Sequence, residues 1–489
     1  MLAPWVVDEL KTADLGDKRL DERFARVLDA LAARPTASIP AACGGYKEMT
    51  AAYRFFDNDK ATFKSVLKPH RESTLERIAA QPIVIIAQDT TEIDLTRPDQ
   101  QVAGAGPLDG GPRRGVLLHE LHAFTPDGTP LGTVDAVPWT RDDEPLAPSP
   151  ESKRNRKKTP IEEKESCRWL DTIDKCRDVA RESPNTQVVA VADSEADIFE
   201  LLVTAQADPH EIDWIVRACH NRALVPDENR AESAEPAEKL LWESVASAPV
   251  LFTQTISVRG RKPKVSCETR GRRQARQPRK TEVEVRAATV TLRPPWRADR
   301  KLPPVTLNVV LVREIDPPDG EEPVEWLLLT NLPIKDAEQV RLIVQYYCIR
   351  WLIEIYFRTL KSGCRVEDRL FEHIDRLLPC LAAYMIVAWR TLYVCRLGRS
   401  CPDVSCEAVF EPAEWKSVYR VVRRKALPAA PPTLAEMVRM VAQLGGYVNR
   451  KRKDPPGPQT VWLGLQRTHD LAYCWQLFGP DAQPTDEDV

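Results

Sequence analysis

Residues 83–87, Ile-Val-Ile-Ile-Ala, form an unbroken apolar run closed by Gln88 and Asp89, the pattern of a strand buried on both faces. Residues 188–192, Val-Val-Ala-Val-Ala, repeat it and are closed by Asp193; residues 214–217, Trp-Ile-Val-Arg, are a shorter case. Residues 115–124 and 131–137 flank a linker, 125–130, whose Pro-Asp-Gly centre is turn chemistry, so the two predict a hairpin. Between the strands the period changes to that of a helix. Trp169, Ile173, Cys176 and Val179 share one side of a helix over about 162–182, and another follows over 195–205.

Three strands, helix, strand, helix, strand and a delayed final helix predict an α/β fold: a ribonuclease H-like mixed five-stranded sheet. The delay is filled by strand patterns at 251–258, 281–292 and 305–312, which predict an all-β insertion over about 220–325. Helical spacing of Leu20, Phe24, Val27, Leu28 and Leu31, and a second helix near 47–56, make residues 1–75 a helical module. Residues 76–397 are then the sheet domain, closed by helices at 338–361 and 375–397. From 398 to 489 the chain reads as helical, clearest at 434–444, with a disordered acidic tail from about 480.

At 489 residues, two or three such domains are expected. The net charge of −3 hides a segregation: residues 259–280 hold ten Lys or Arg against one acid, Glu268, leaving 59 bases against 71 acids elsewhere. Shorter basic runs occupy 153–158 and 450–453, and in an otherwise acidic chain such blocks suit phosphate contacts. Twelve scattered cysteines with no C-x-x-C pair signal neither a zinc site nor a disulfide framework. The N-terminus lacks a secretory pattern and the longest apolar stretch, 380–389, is short, so a cytoplasmic protein without a membrane partner is expected.

Asp89 and Asp193 each end a buried strand, the place where α/β sheets gather ligands. In the helix at 338–361, Tyr347, Arg350, Glu354 and Lys361 lie at offsets 0, 3, 7 and 14. At about 100° per residue they fall within an arc of about 60°, one narrow face. Ile349, Leu352, Ile353, Tyr356 and Leu360 lie opposite. Any amphipathic surface helix shows such a stripe, so periodicity alone does not make it a site. His119 and His122, three apart in a strand, point to opposite faces and are not expected to share a metal.

Tyr347-x2-Arg350-x3-Glu354-x6-Lys361 resembles the Y-R-E-K signature of the IS-four family of DDE transposases. Residues 15–19 (Leu-Gly-Asp-Lys-Arg) and 52–55 (Ala-Tyr-Arg-Phe) resemble the family's end-binding module. Residues 89–91 (Asp-Thr-Thr) and 193–197 (Asp-Ser-Glu-Ala-Asp) resemble its first two acid blocks, and 325–330 and 444–447 complete the series. One departure is Ser194, where the family block usually has Arg.

The resemblance implies a cut-and-paste transposase in which Asp89, Asp193 and Glu354 hold two Mg2+ or Mn2+ ions. Hard carboxylate oxygens suit those ions. It further implies that Tyr347, Arg350, Lys361 and Arg217 contact DNA phosphates, that Trp326 stacks beside a flipped base during hairpin formation, and that Arg23 and Arg54 bind the transposon ends. The implied partners are double-stranded DNA, both inverted-repeat ends and target, and a second copy of the chain, paired through the region after 398, in a bacterial cytoplasm at the nucleoid. The alternative readings are a non-catalytic regulator derived from a transposase, and a stand-alone metal nuclease.

Overall fold

The computed structural model describes residues 2–143, 159–207, 211–226, 240–258, 260, 276–448 and 455–480. The basic runs at 153–158 and 450–453, most of the block at 259–280 and the tail from 481 lie outside the described residues. The strands are β1 (Ile83–Asp94), β2 (Gly106–Pro107), β3 (Arg114–Phe124), β4 (Pro130–Trp139), β5 (Gln187–Ala192), β6 (Asp213–Arg217), β7 (Phe252–Val258), β8 (Arg279–Leu292), β9 (Val305–Glu314) and β10 (Glu325–Thr330). They form one ten-stranded sheet in the order β2-β3-β1-β5-β6-β10-β9-β8-β7, with β4 on β3.

Within it, β4-β3-β1-β5-β6 is the expected ribonuclease H-like unit. β1, β5 and β6 run parallel, and β3 and β4 are the antiparallel hairpin. The insertion is not a separate piece. β10 docks antiparallel on β6, Leu328 opposite Arg217, and β9, β8 and β7 extend the same sheet outward. Nor is it all strand, since it carries the helix Leu241–Ala246.

Helices α1 (Pro4–Glu9), α2 (Lys18–Ala33), α3 (Ile39–Cys43), α4 (Tyr46–Phe56) and α5 (Phe63–Ala79) precede the sheet. α2 forms where expected: Asp17 caps it by accepting from Arg19 N, and Phe24, Val27, Leu28 and Leu31 are buried. α6 (Cys167–Glu182) and α7 (Phe199–Ala207) cover one sheet face. α8 is the insertion's Leu241–Ala246, and α9 (Ala337–Ile349) and α10 (Trp351–Arg358) cover the other face. α11 (Ile374–Ser400) is long and apolar enough to cross a membrane by length and composition, with a mean hydropathy of 1.5 over its most apolar window. That window is 83% buried in the protein, so α11 is a core spine to which the N-terminal helices also pack.

The last helices, α12 (Pro412–Arg423), α13 (Leu434–Leu444) and α14 (Pro458–Phe478), share a core with the end of α11. The Leu444-Gly-Gly-Tyr447 motif has a steric reason there. A Cβ on Gly445 would lie 1.9 Å from the Thr460 carbonyl oxygen, and one on Gly464 equally close to that of Val441, so the backbones of α13 and α14 meet at glycines. Gly446 adopts φ +89°, the left-handed region that favours glycine. Gly445→Val is therefore expected to push α13 off α14 and lower stability by ~1–3 kcal/mol or more, measured by urea denaturation of the full chain. An unchanged midpoint would contradict this packing.

Candidate active site

β1 continues past Asp89 to Asp94, further than the apolar run suggests, but its parallel pairing with β5 stops at Ala87 opposite Val191. Asp89 thus sits just beyond the ends of the parallel strands, paired only to Glu120 of β3. Asp193 follows the last residue of β5 and accepts from Glu195 N at 2.8 Å, capping a short 3-10 turn over Ser194–Ala196. Parallel neighbours that end together leave their following residues at one rim, which is why acids 104 positions apart become neighbours.

The third acid comes from the helix side. The expected helix over 338–361 is present but subdivided: α9 passes into α10 at Arg350, which keeps helical angles (φ −46°, ψ −37°), and α10 ends in a π turn over Thr359–Gly363. Tyr347 and Arg350 do not form a solvent stripe. Both are only 7% exposed, and their face turns inward to the strand ends. Arg350 Nη1 donates to Asp89 Oδ2 at 2.9 Å, and Nη2 lies 3.8 Å from Glu354 Oε1. Burial drives the Asp89 carboxyl well above its usual range; Arg350 opposes this, and Glu354 and Asp193 add to it. Burial also works against charge on Arg350, but Asp89, Tyr347, Asp193 and Glu354 outweigh it. One guanidinium therefore stands in the field of all three acids.

Around this centre lie other expected residues. Tyr347 lies beside Arg217 and Arg350, whose charges oppose the upward push that burial gives its hydroxyl, and Arg217 donates to the Glu325 carbonyl at 3.3 Å. Trp326, partly buried on β10, has its ring centroid 5.4 Å from that of Tyr347. It is thus both the sheet-face residue and a neighbour of the site. Lys361 is set apart: the π turn adds a residue to the helical register, and the ammonium, its pKa lowered by burial, faces Glu367 and Glu92 as well as Glu354. Arg23 and Arg54 belong to α2 and α4. Arg23 is ion-paired with Glu48 at 2.5 Å, and Arg54 is exposed.

Two features escaped the sequence reading. Asp197, the last acid of the Asp193 block, is fully buried and accepts from Cys219 N (2.7 Å), His220 N (2.9 Å) and Arg222 Nη2 (2.6 Å). It fixes the loop after β6 against the turn that carries Asp193. Asp197, Cys219 and His220 bring possible ligand atoms within 4.8 Å of one another, yet these bonds already engage the carboxylate. Asp89, Asp193 and Glu354 form no such tight group, because Arg350 is between them. The second feature is a buried polar chain. Glu120 Oε1 accepts from Thr133 Oγ1 and His122 Nδ1, Thr133 N donates to His70 Nε2, and His70 Nδ1 meets Glu9. Its members lie on separate elements, so no local spacing announces them.

Two further readings meet the structure directly. His119 bonds Thr90 and lies edge-on to Trp169, whereas His122 packs on Tyr356, so the two histidines do occupy opposite faces. From the basic block, Arg279 is held bidentately by Glu314 at 2.9 Å and also bonds Glu321, so its guanidinium is already engaged by carboxylates.

Three family models match the chain in succession: a transposase DNA-binding domain over residues 3–61, a transposase DDE domain over 164–377, and the Transposase Tn5 dimerisation domain over 386–473. The DDE match takes in Asp193 and Glu354 and begins after Asp89. Among solved structures, the chain resembles the piggyBac transposase synaptic complex with hairpin DNA at 10% identity and a TM-score of 0.36, covering 82% of this chain and 73% of that one. A DDE domain on a ribonuclease H-like sheet, between DNA-binding and dimerisation regions, defines a DNA transposase, an enzyme of divalent-metal chemistry. The chain belongs to the Tn5-like DDE transposases, and its partners are DNA and a second copy of itself.

Proposed function

We propose that this transposase works by cut and paste. It binds inverted-repeat ends, nicks each, forms a hairpin by attack of the freed 3′ hydroxyl on the opposite strand, opens the hairpin and joins the 3′ ends to target DNA. The observation that carries this reading is the meeting of Asp89, Asp193 and Glu354, from two strand ends and a facing helix, around Arg350. The donors are carboxylate oxygens, the set that Mg2+ or Mn2+ prefers. Two such ions, when bound, would activate the attacking oxygen and neutralise the leaving one.

The remaining residues bind and orient. Arg350 and Arg217 offer forked donors to phosphates, Lys361 a point charge, and Tyr347 supports both the Arg217 contact and the Trp326 ring. Trp326 is a surface on which a flipped base can stack. Arg54 on α4, and Arg23 once exchanged from Glu48, face end DNA, and the region after about 398 pairs the two copies. We place the reaction in a bacterial cytoplasm, on nucleoid DNA.

Purified protein with Mg2+ and a plasmid bearing the element's own ends tests the whole. Excision with joining is expected; binding without reaction would favour a regulator, and cutting without joining a nuclease. Trp326→Ala is expected to leave the first nick within a few-fold of normal and to slow hairpin formation by roughly 10–100-fold, from ~1–3 kcal/mol of lost stacking, read on denaturing gels. Equal slowing of both steps would refute the stacking role.

A further inference from the structure

We propose that Arg350 is an exchangeable counter-cation: it holds the acid cluster closed to divalent metal until a phosphate of end DNA draws its guanidinium away. This rests on the ligand set proposed above and asks what the same arginine does before DNA arrives.

Both oxygens of Asp89 already have partners. Oδ2 accepts from Arg350 Nη1 at 2.9 Å, and Oδ1 from Thr90 N at 2.8 Å. The ion pair is enclosed, with side-chain exposures of 9% for Arg350 and 10% for Asp89. Glu354, one helical turn on, is 41% exposed and 3.8 Å from the other arm of the guanidinium. Arginine cannot shed its proton to step aside. It supplies the positive charge that three clustered carboxylates require, and it engages Asp89 Oδ2, an oxygen that a metal held by Asp89 would draw on.

Metal entry without DNA therefore leaves a buried guanidinium with no acceptor, which opposes binding. A phosphate changes the balance, because two of its oxygens match the guanidinium fork bidentately. The arginine then exchanges one anion for another and Oδ2 is released. Linkage makes the effect reciprocal: DNA tightens metal by the factor by which metal tightens DNA.

The test is Mn2+ binding to the full chain, by calorimetry and by the metal-dependent rise in melting temperature, with and without a duplex copied from the inverted repeat flanking the gene. Wild type is expected to bind Mn2+ at least tenfold more tightly with the duplex. Arg350→Gln should bind Mn2+ without DNA at least tenfold more tightly than wild type does, show a melting rise in Mn2+ that wild type lacks, and lose the dependence on DNA. Arg350→Lys, which keeps the charge but not the fork, should fall between them, and it carries the test if the glutamine variant does not fold. Unchanged DNA-free affinity in both variants, or full retention of the DNA dependence, overturns the proposal. Asp89→Asn added to Arg350→Gln should abolish the gained binding. Persistence of that binding would locate the metal elsewhere and sink the ligand assignment itself, an outcome distinct from failure of the exchange alone.

Discussion

Asp89→Ala, Asp193→Ala and Glu354→Ala are each expected to lower strand cleavage by about a thousandfold while end-DNA binding stays within a few-fold of wild type. The magnitude follows from the metal's share of transition-state charge stabilisation, several kcal/mol, with each ~1.4 kcal/mol a factor of ten. Binding should survive because the acids offer DNA no favourable contact; removing one lowers negative charge near the phosphates. The structure adds a distinction among them. Asp89 balances Arg350 in a buried pair, so its alanine variant strands a cation and should also lose stability, whereas half-exposed Glu354 should not. Cleavage is scored with Mg2+ on end-bearing duplex, and binding by mobility shift. Near-normal cleavage by any one variant would remove that acid from the ligand set.

The second large effect is predicted far from the chemistry. Glu9 of α1 accepts from Arg77 through both oxygens (2.8 and 3.0 Å) and from His70 Nδ1 at 2.5 Å, at 3% exposure. His70 Nε2 accepts the Thr133 N–H, so the ring carries its proton on Nδ1 and donates it to Glu9. The Arg77 guanidinium also lies 4.2 Å over the Trp389 ring of α11. One carboxylate thus ties α1 to α5, to the β3–β4 hairpin and to the core spine. Glu9→Ala is expected to cost about 3–5 kcal/mol, because it leaves Arg77 and His70 without their acceptor. Burial alone would raise the Glu9 pKa, but His70 and Arg77 bring it from 4.5 down to about 2. Its stabilising contribution, about 3 kcal/mol, is therefore complete above pH 4.5 and is lost as pH falls from there toward 2. Urea midpoints measured between pH 6 and 3 should fall faster in wild type than in the variant; parallel curves would contradict the linkage.

Asp89 and Asp193 were legible as strand-end acids because each ends an apolar run, and strand ends are where an α/β sheet presents side chains; Glu354 lies within a helix and was singled out only by the family signature. The hairpin was legible from its turn chemistry, and α2 and α13 from their period. The merger of the insertion with the sheet was not, because Leu328 pairs with Arg217 across 111 positions and no local pattern encodes that partner. Periodicity also misplaced Tyr347 and Arg350. An angular wheel distinguishes polar from apolar sides, but here a polar side faces inward to the strand ends and is buried among charges. The π turn that re-aims Lys361 depends on Thr359 accepting from Cys364 N at 2.9 Å and on Gly363 lying against Trp462, both set by packing. Glu9, His70, Glu120 and Thr133 gave no signal, because a buried hydrogen-bond chain has no period.

The most direct measurement is anomalous diffraction from crystals of the protein with end DNA and Mn2+. Two anomalous peaks are expected, each roughly 2.1 Å from carboxylate oxygens of Asp89, Asp193 or Glu354, with Arg350 turned onto a phosphate. Peaks placed instead at Asp197, Cys219 and His220, or none near Asp89, would contradict the assignment.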